Sequence, residues 1–425
     1  MEKNNSLPIT KFTSYQVLVI VLLALTQFTV VLDFMVMSPL GDMLMKSMAL
    51  TPEQFSICVL SYAISAGVSG LLTAGFADRF DRQKLLLFFY IGFIAGTVFC
   101  GLANSYALLV AARIFTGIFG GVIGSIGMAI VADLFLLQQR GRVMGFMQMG
   151  FGASQVLGIP ISLALANKWG WQMPFFMIVG LAIIIWMLIM LKMQPVNKHL
   201  ELQNERNAFK HLWNTVKQRH YRIGFLSTAL LSLGGFLMMP WGSTFSRNNL
   251  NVSEEGLVVL FAVSGVFTLL IMPVIGKLSD KFDKMKLFVI ASIWLMVTAL
   301  VYTNLVPMPL WAIILVNVLL MMGVMSRMVP AVALVSALPE MKDRGAFMSV
   351  NSSLQQIAGG IAAGIGGMII VRKDEFSPIE NYNVLGYIIV VLSVIGIFML
   401  ARVNNLLKKN STTEASKPEG EAVAH

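Results

Sequence analysis

Asp78-Arg79-Phe80-Asp81-Arg82 is followed, 202 residues later, by Asp280-Lys281-Phe282-Asp283-Lys284. Each copy comes shortly after an apolar run long enough to cross a bilayer. A second pair keeps nearly the same offset, since Arg140-Gly141 recurs as Arg344-Gly345, 204 residues on. A general surplus of basic residues at one membrane face would not repeat the order acid, base, Phe, acid, base. The second half of the chain therefore reads as a copy of the first, running in the same direction.

Composition sets the solvent. Of 425 residues, 57% are hydrophobic and only 12% charged, whereas a soluble chain carries about a quarter charged residues. Disorder, a collagen-like chain and a disulfide-stapled secreted domain are excluded on the same grounds. Cys58 and Cys100 both lie inside apolar runs, so neither a disulfide framework nor a metal cluster is expected. A helix needs about 20 mostly apolar residues to cross a core of about 30 Å. Stretches without Asp, Glu, Lys or Arg cover residues 12–32, 54–77, 85–112, 114–132, 143–167, 169–191, 223–246, 256–276, 287–326, 345–371 and 381–401. The run 85–112 must turn at Ala103-Asn104-Ser105 and continue past Arg113, and the run 287–326 must fold between Asn304 and Pro309 and continue past Arg327 to about Leu338. Twelve spans result, an all-α integral membrane fold of two six-helix bundles.

Twelve spans put both termini on one side. With the amino terminus inside, 24 of the 31 Lys and Arg fall on inside segments and five on outside ones, so both ends are expected in the cytoplasm of a plasma membrane, a bacterial inner membrane by preference. No cleavage site follows the first apolar run, which is expected to remain as a span. The expected organisation is a cytoplasmic segment 1–14, a first bundle 15–193, a linker 194–220, a second bundle 221–403 and a disordered tail 404–425. In the linker, Phe209, Leu212, Trp213 and Val216 recur at helical spacing among Lys210, Lys217 and Arg219, which suits an amphipathic helix on the inner leaflet.

With these features the chain resembles the major facilitator superfamily along nearly its whole length. The cluster after span two is similar to that family's signature loop, with Ala74 where the first glycine is usual and Asp81 where the second is; the second copy keeps Gly276 but again has an aspartate, Asp283. The resemblance implies that Asp78, Arg79, Asp81, Arg82, Asp280, Lys281, Asp283 and Lys284 form cytoplasmic gate loops. Arg113-Ile-Phe-Thr-Gly117, followed by Gly120 and Gly121, is similar to the family's span-four motif. Glycines at such spacings let a neighbouring helix approach closely. Gly158-Ile159-Pro160 in span five, then Trp169-Gly170 before span six, resembles the twelve-span drug:proton antiporters and sugar-efflux permeases. What this implies is a transporter, not an enzyme, with its substrate site between parallel repeats near the midplane.

Two ionisable residues stand out. A cation inside a span costs about 2.5–3.5 kcal/mol on insertion scales, so Arg113 needs a cavity or a partner. At about 1.5 Å per residue, Asp33 of span one and Arg113 of span four reach similar depths. They are expected to interact and to carry proton coupling, burial favouring the protonated carboxyl and the guanidinium the ionised one. A static pair that only fixes helix packing is the alternative. Arg327, in span ten beside Pro330, is expected either to attract an anionic group in the cavity or to bond carbonyls near the Pro330 kink. Asp42 and Asp133 lie near helix ends, where capping or solvation is expected. Further cavity candidates are Gln27, Phe34, Met37, Gln148, Gln155, Phe236, Met239, Trp241, Asn317, Asn351 and Gln355, and the 29 methionines hint at an adaptable pocket.

These observations imply export of a small drug-like, amphipathic or sugar-like molecule by proton antiport with alternating access. An uncoupled facilitator or proton symporter of the same fold is the alternative, and a non-transporting sensor a more distant one. No phosphate-binding Gly-x-x-x-x-Gly-Lys-Ser/Thr loop is present, so the proton gradient is the expected energy source, with no cofactor or metal. Expected partners are the substrate, protons and the bilayer, with no nucleic acid and a monomer as the working unit.

Overall fold

A computed structural model describes residues 12–73, 79–135, 143, 146–147, 149–150, 152–197, 200, 208–340, 343–374 and 377–415, except for the side chains at 155, 208–211, 272–273, 276–277, 280–281, 344–345 and 410–415. Helices carry the fold; within the described residues, extended pairing amounts to an isolated bridge between Val371 and Glu380. In the first half α1 spans Ser14–Ser47, α2 Pro52–Thr73, α3 Arg82–Leu102 and α4 Tyr106–Leu134. A π-helical turn at Ser154–Gly158 then leads into α5, Ile159–Trp169, and α6 covers Met173–Lys192. The connecting helix α7 is Ala208–Lys217. In the second half come α8 Arg219–Phe236, α9 Gly242–Asn248, α10 Glu254–Lys281, α11 Lys284–Thr303, α12 Leu310–Ser336, α13 Arg344–Ile369 and α14 Tyr382–Ala415.

Ten stretches of helix among the described residues are long and apolar enough to cross a membrane, one of them joining α8 to α9. The two other expected spans are α13, rich in glycine, serine and glutamine, and the segment ending in α5, whose start falls partly outside the description. Local chemistry sets the ends. Thr13 and Gln16 form a reciprocal capping box on α1, Ser105 caps α4, and Ser253 caps α10. The hairpins at Ala103-Asn104-Ser105 and between Asn304 and Pro309 fall where the sequence placed them.

Three departures have local causes. First, α1 runs for 34 residues, about 50 Å at the α-helical rise, longer than the apolar run 12–32, so Asp33 lies just past its middle. Second, span seven is not continuous. It breaks between Phe236 and Gly242 through a short 3-10 turn at Met239–Trp241, where Pro240 supplies no amide hydrogen. Third, α14 continues to Ala415, past the boundary expected at 403. The connecting helix forms, but its apolar stripe is divided. Leu212 and Val216 pack against the second half, while Trp213 is exposed under the Lys217 ammonium, 5.2 Å from its ring centroid. The side chain of Phe209 is outside the described residues.

The repeat governs how the halves meet. α2 packs on α13, and α5 with its π turn packs on α10; as spans these are two with eleven and five with eight, which the internal two-fold exchanges. α1 packs on α9, joining spans one and seven. Inside the first half, α4 lies against α2 so closely that a Cβ at Gly117 would fall 2.5 Å from the Tyr62 carbonyl oxygen, and one at Gly121 would collide with the Ala66 backbone. Backbone cannot step aside, so Gly121→Ala is expected to destabilise the protein by about 1–3 kcal/mol, read as a lowered melting temperature in detergent. An unchanged melt would show that this seam is looser than drawn. Gly158 and Pro160 sit at the junction of the π turn with α5, and a Cβ at Gly158 would meet the Leu32 side chain. Proline lacks an amide hydrogen, so a locally widened helix there has a plain cause.

Candidate functional site

The inner faces of α1 to α4 converge on Asp33 and Arg113. Arg113 NH1 lies 2.9 Å from Asp33 Oδ2, and both side chains are 0% exposed. Thr97 of α3 donates to Asp33 Oδ1 at 3.2 Å, and the guanidinium carbon of Arg113 sits 4.3 Å from the ring centroid of Tyr62 in α2. Four helices thus hold one pair. Nε and NH2 of Arg113 find no hydrogen-bond partner among the described residues, so the aspartate is the group that compensates the cation. The expected interaction is present. Neither group lines either of the two clefts described below, and in this conformation both are sealed from solvent.

Phe34, the next residue along α1, points the other way. Its ring lies 5.5 Å from Tyr62 and 5.8 Å from Phe236 of α8, centroid to centroid, so it touches both the ring under Arg113 and the opposite half. Phe34, Met37 and Phe236 line a narrow cleft between the halves, closed in this conformation to water-sized space. A second narrow cleft lies between α8, α12 and α13 and is lined by Asn351 and Gln355 together with Thr228 and Ser232.

Other candidates fall elsewhere. Trp241 is fully buried against Phe55, its ring centroid 5.6 Å away, and lines neither cleft. Asn317 is spent on a 2.7 Å bond to Ser264 Oγ. Arg327 is 3% exposed and lines neither cleft. It donates to the Leu231 carbonyl and to Ser393 Oγ, each at 3.2 Å, rather than to carbonyls beside Pro330. Both partners belong to neighbouring helices, α8 and α14, so Arg327 ties span ten to spans seven and twelve. Gln148, and the side chain of Gln155, lie outside the described residues.

At the end of the bundle expected to be cytoplasmic, Asp81 accepts hydrogen bonds from the amides of Gln83 and Lys84 at 2.8 and 3.2 Å and so caps α3; Asp283 caps α11 through the Lys286 amide at 2.8 Å. The aspartates that replace the usual glycine therefore have a local use. Arg82 pairs with Asp133 at 3.2 Å, so Asp133 is an ion-pair partner, not a cap or a solvated end. Arg79 is exposed, Lys284 is half-buried at the start of α11, and Asp78 and the side chains of Asp280 and Lys281 lie outside the described residues.

The opposite end holds a cluster that sequence reasoning missed. Asp42 of α1, 8% exposed at its side chain, meets Lys46 at 2.8 Å, Arg372 beyond α13 at 3.4 Å and Arg247 of α9 at 4.0 Å. Asn248 also donates to it at 3.2 Å. One turn below, Ser243 donates to the Ser38 carbonyl at 2.5 Å, and Ser38 to the Met239 carbonyl. One carboxylate of the first half is thus gripped by two arginines of the second. Asp42→Asn is expected to loosen this end, raising labelling of a cysteine placed at Ser243 by an impermeant maleimide severalfold. Unchanged labelling would show that apolar packing alone holds it shut. Nothing in the sequence pairs Asp42 with basic residues as distant as 247 and 372.

Two repeated bundles with a cleft at their seam, and an ion pair buried in the first bundle, are the architecture of a membrane transporter. The sequence profile of the Major Facilitator Superfamily matches residues 23–363 and 224–423. The uncharacterized MFS-type transporter YbcL of Bacillus subtilis is 24% identical over 387 residues, covering 89% of this chain and 95% of that protein. The multidrug resistance protein fnx1 of Schizosaccharomyces pombe is 31% identical over 134 residues, which is 32% of this chain and 25% of that protein. Among solved structures, a bacterial homologue of the human lysosomal transporter Spinster, in an inward-facing and unoccupied conformation, superposes with a TM-score of 0.74 at 15% identity, covering 94% of this chain and 99% of that one. A D-xylose-proton symporter gives 0.72 at 18% identity, covering 90% and 97%. The chain belongs to the Major Facilitator Superfamily and has its fold; it is a transporter, not an enzyme.

Proposed function

We propose that the protein exports a small organic molecule in exchange for protons, with Asp33 as the proton carrier and Arg113 as the group that sets when the proton is held. One observation carries this reading: the carboxylate and guanidinium are sealed together at 2.9 Å, while the next residue, Phe34, lies in the seam and touches the second half. When Asp33 takes a proton, the pair loses its attraction and Arg113 stands as an uncompensated buried charge. That is costly in a low dielectric, so protonation favours a conformation in which Arg113 regains water or another partner. Rearrangement at α1 shifts Phe34, and with it the wall of the seam cleft. Proton occupancy and substrate occupancy become alternatives, which is the requirement for exchange rather than co-transport. A dry pair also keeps protons from leaking through while the outer end is closed.

Support for the direction comes from resemblance. The Gly158-Ile159-Pro160 turn is of the antiporter kind, and the relatives include multidrug resistance proteins, although a structural neighbour is named as a proton symporter. The plasma membrane, cytoplasmic termini and a monomeric working unit are parts of the same proposal, as is the service of the Asp81 and Asp283 loops as cytoplasmic gates. Reconstituted vesicles test it. With the interior acidic, substrate should accumulate inside, and a protonophore should abolish the accumulation. Accumulation driven by an alkaline interior would make the protein a symporter, and equilibration without accumulation a facilitator.

A further inference from the structure

From the linings of the two clefts we infer that the transported molecule is uncharged and amphipathic, with a hydrophobic ring or chain at one end and hydroxyl or amide groups at the other. The inference rests on the transporter reading above and names its substrate class. The clefts are successive along the same helices. Phe236 and Ser232 are one turn apart on α8, and Gly359 and Gln355 one turn apart on α13; the first of each pair lines the seam cleft and the second lines its neighbour. A turn is about 5.4 Å, so one small molecule can reach both once the seam opens for transport; in this conformation each is closed to water-sized space.

Their chemistry differs. The seam cleft presents aromatic rings and thioethers, chiefly Phe34, Phe236, Met37 and Met239, surfaces that stack on or mould to apolar groups. The neighbouring cleft adds two amides and three hydroxyls, from Asn351, Gln355, Thr228, Ser232 and Ser336. Asn351 Oδ1 is buried without a hydrogen-bond partner among the described residues. A buried acceptor left unpaired is unfavourable, and a ligand hydroxyl or N–H would satisfy it.

Charge is kept out of both. No Asp, Glu, Lys, Arg or His lines either cleft among the described residues. The ionised groups deepest in the spans are spent elsewhere: Asp33 and Arg113 neutralise each other, and Arg327 is spent on a carbonyl of α8 and a hydroxyl of α14. An ion entering such a lining loses its hydration and meets no counter-charge, whereas a neutral polyol exchanges water for amides at little cost. The same lining that admits the neutral molecule therefore rejects its ionised analogue.

Three matched probes test this by equilibrium binding to the full chain in detergent, with no proton gradient: phenyl β-glucoside, phenyl β-glucuronide and phenyl β-glucosaminide. The glucoside is expected to bind at least tenfold more tightly than either charged analogue. Asn351→Leu should weaken glucoside binding about tenfold, whereas Arg327→Gln should leave it within twofold. Equal affinity for the three probes, tighter binding of a charged one, or no binding of any, overturns the inference. So does a selective loss of glucuronide binding in Arg327→Gln, since the guanidinium would then belong to the site. Asn351→Ser, which keeps a hydrogen-bonding group, serves if Asn351→Leu does not fold, and loss of binding smaller than twofold in it and in Gln355→Leu together also overturns it. Binding without a gradient is independent of coupling, so these results stand apart from the vesicle assay, in which the antiport reading itself can fail.

Discussion

Asp33→Asn, whose neutral amide stands for the protonated carboxyl, should bind substrate more weakly than the native protein and be unable to concentrate it. One pH unit is worth about 1.4 kcal/mol per proton, so a one-for-one exchanger accumulates substrate about tenfold for each unit of gradient; the variant is expected to reach equality and stop. The amide keeps the shape of the carboxyl and an oxygen that can accept from Thr97 and Arg113, the two side-chain donors that hold Asp33 now. The fold should survive with these two bonds, at a cost in stability because the Arg113 guanidinium loses its counter-charge, and coupling should be lost. Asp33→Glu, with a titratable group restored, should recover accumulation in part. Tenfold accumulation by Asp33→Asn under one unit of gradient would remove Asp33 as the carrier.

The largest loss of stability is expected at its partner. Arg113→Ala leaves a carboxylate that is 0% exposed with a single hydroxyl as company, and breaking a buried pair from one side costs about 3–5 kcal/mol. It also removes the cation from the face of Tyr62, 4.3 Å below it, an interaction of about 1–2 kcal/mol when desolvated. The variant should express poorly or melt far below the native protein in detergent. Adding Asp33→Asn to Arg113→Ala removes the uncompensated charge, so the double variant should regain a large part of the lost stability. Additive losses in that cycle would show that the two groups do not interact in the folded protein. The two experiments separate roles: the first asks what the pair does for transport, the second what it does for the fold.

The pair could be read from the sequence because two rare events coincided. Ionised residues within spans are few, and a helix advances by a fixed rise, so Asp33 and Arg113 could be placed at one depth without knowing their contacts. Hairpins were legible for a similar reason, since Ala103-Asn104-Ser105 and the stretch holding Pro307 and Pro309 stop helices by their own chemistry. Asp42 was not legible. Its arginines stand at 247 and 372, more than 200 residues away, and many basic residues would have served equally well on paper. Arg327 was misleading for a different reason. Its partners are a main-chain carbonyl and a serine, groups too common in any chain to be singled out beforehand. Trp241 resembled a cavity aromatic, but the break at Pro240 rotates it into the packing around Phe55.

By itself the sequence determined the solvent, the number of crossings, the repeat and which residues had to be compensated. Each of these depends on composition, on length or on a charge where hydrocarbon surrounds it. Only the tertiary structure decided which way each span is turned. A helix in water shows its buried face by an apolar stripe, but lipid and protein interior are equally apolar, so a span carries little such record. Rotation is settled by close contacts such as those of Gly117 and Gly121 with α2. Those contacts put Asp33 against Arg113, Phe34 into the seam and Arg327 behind it.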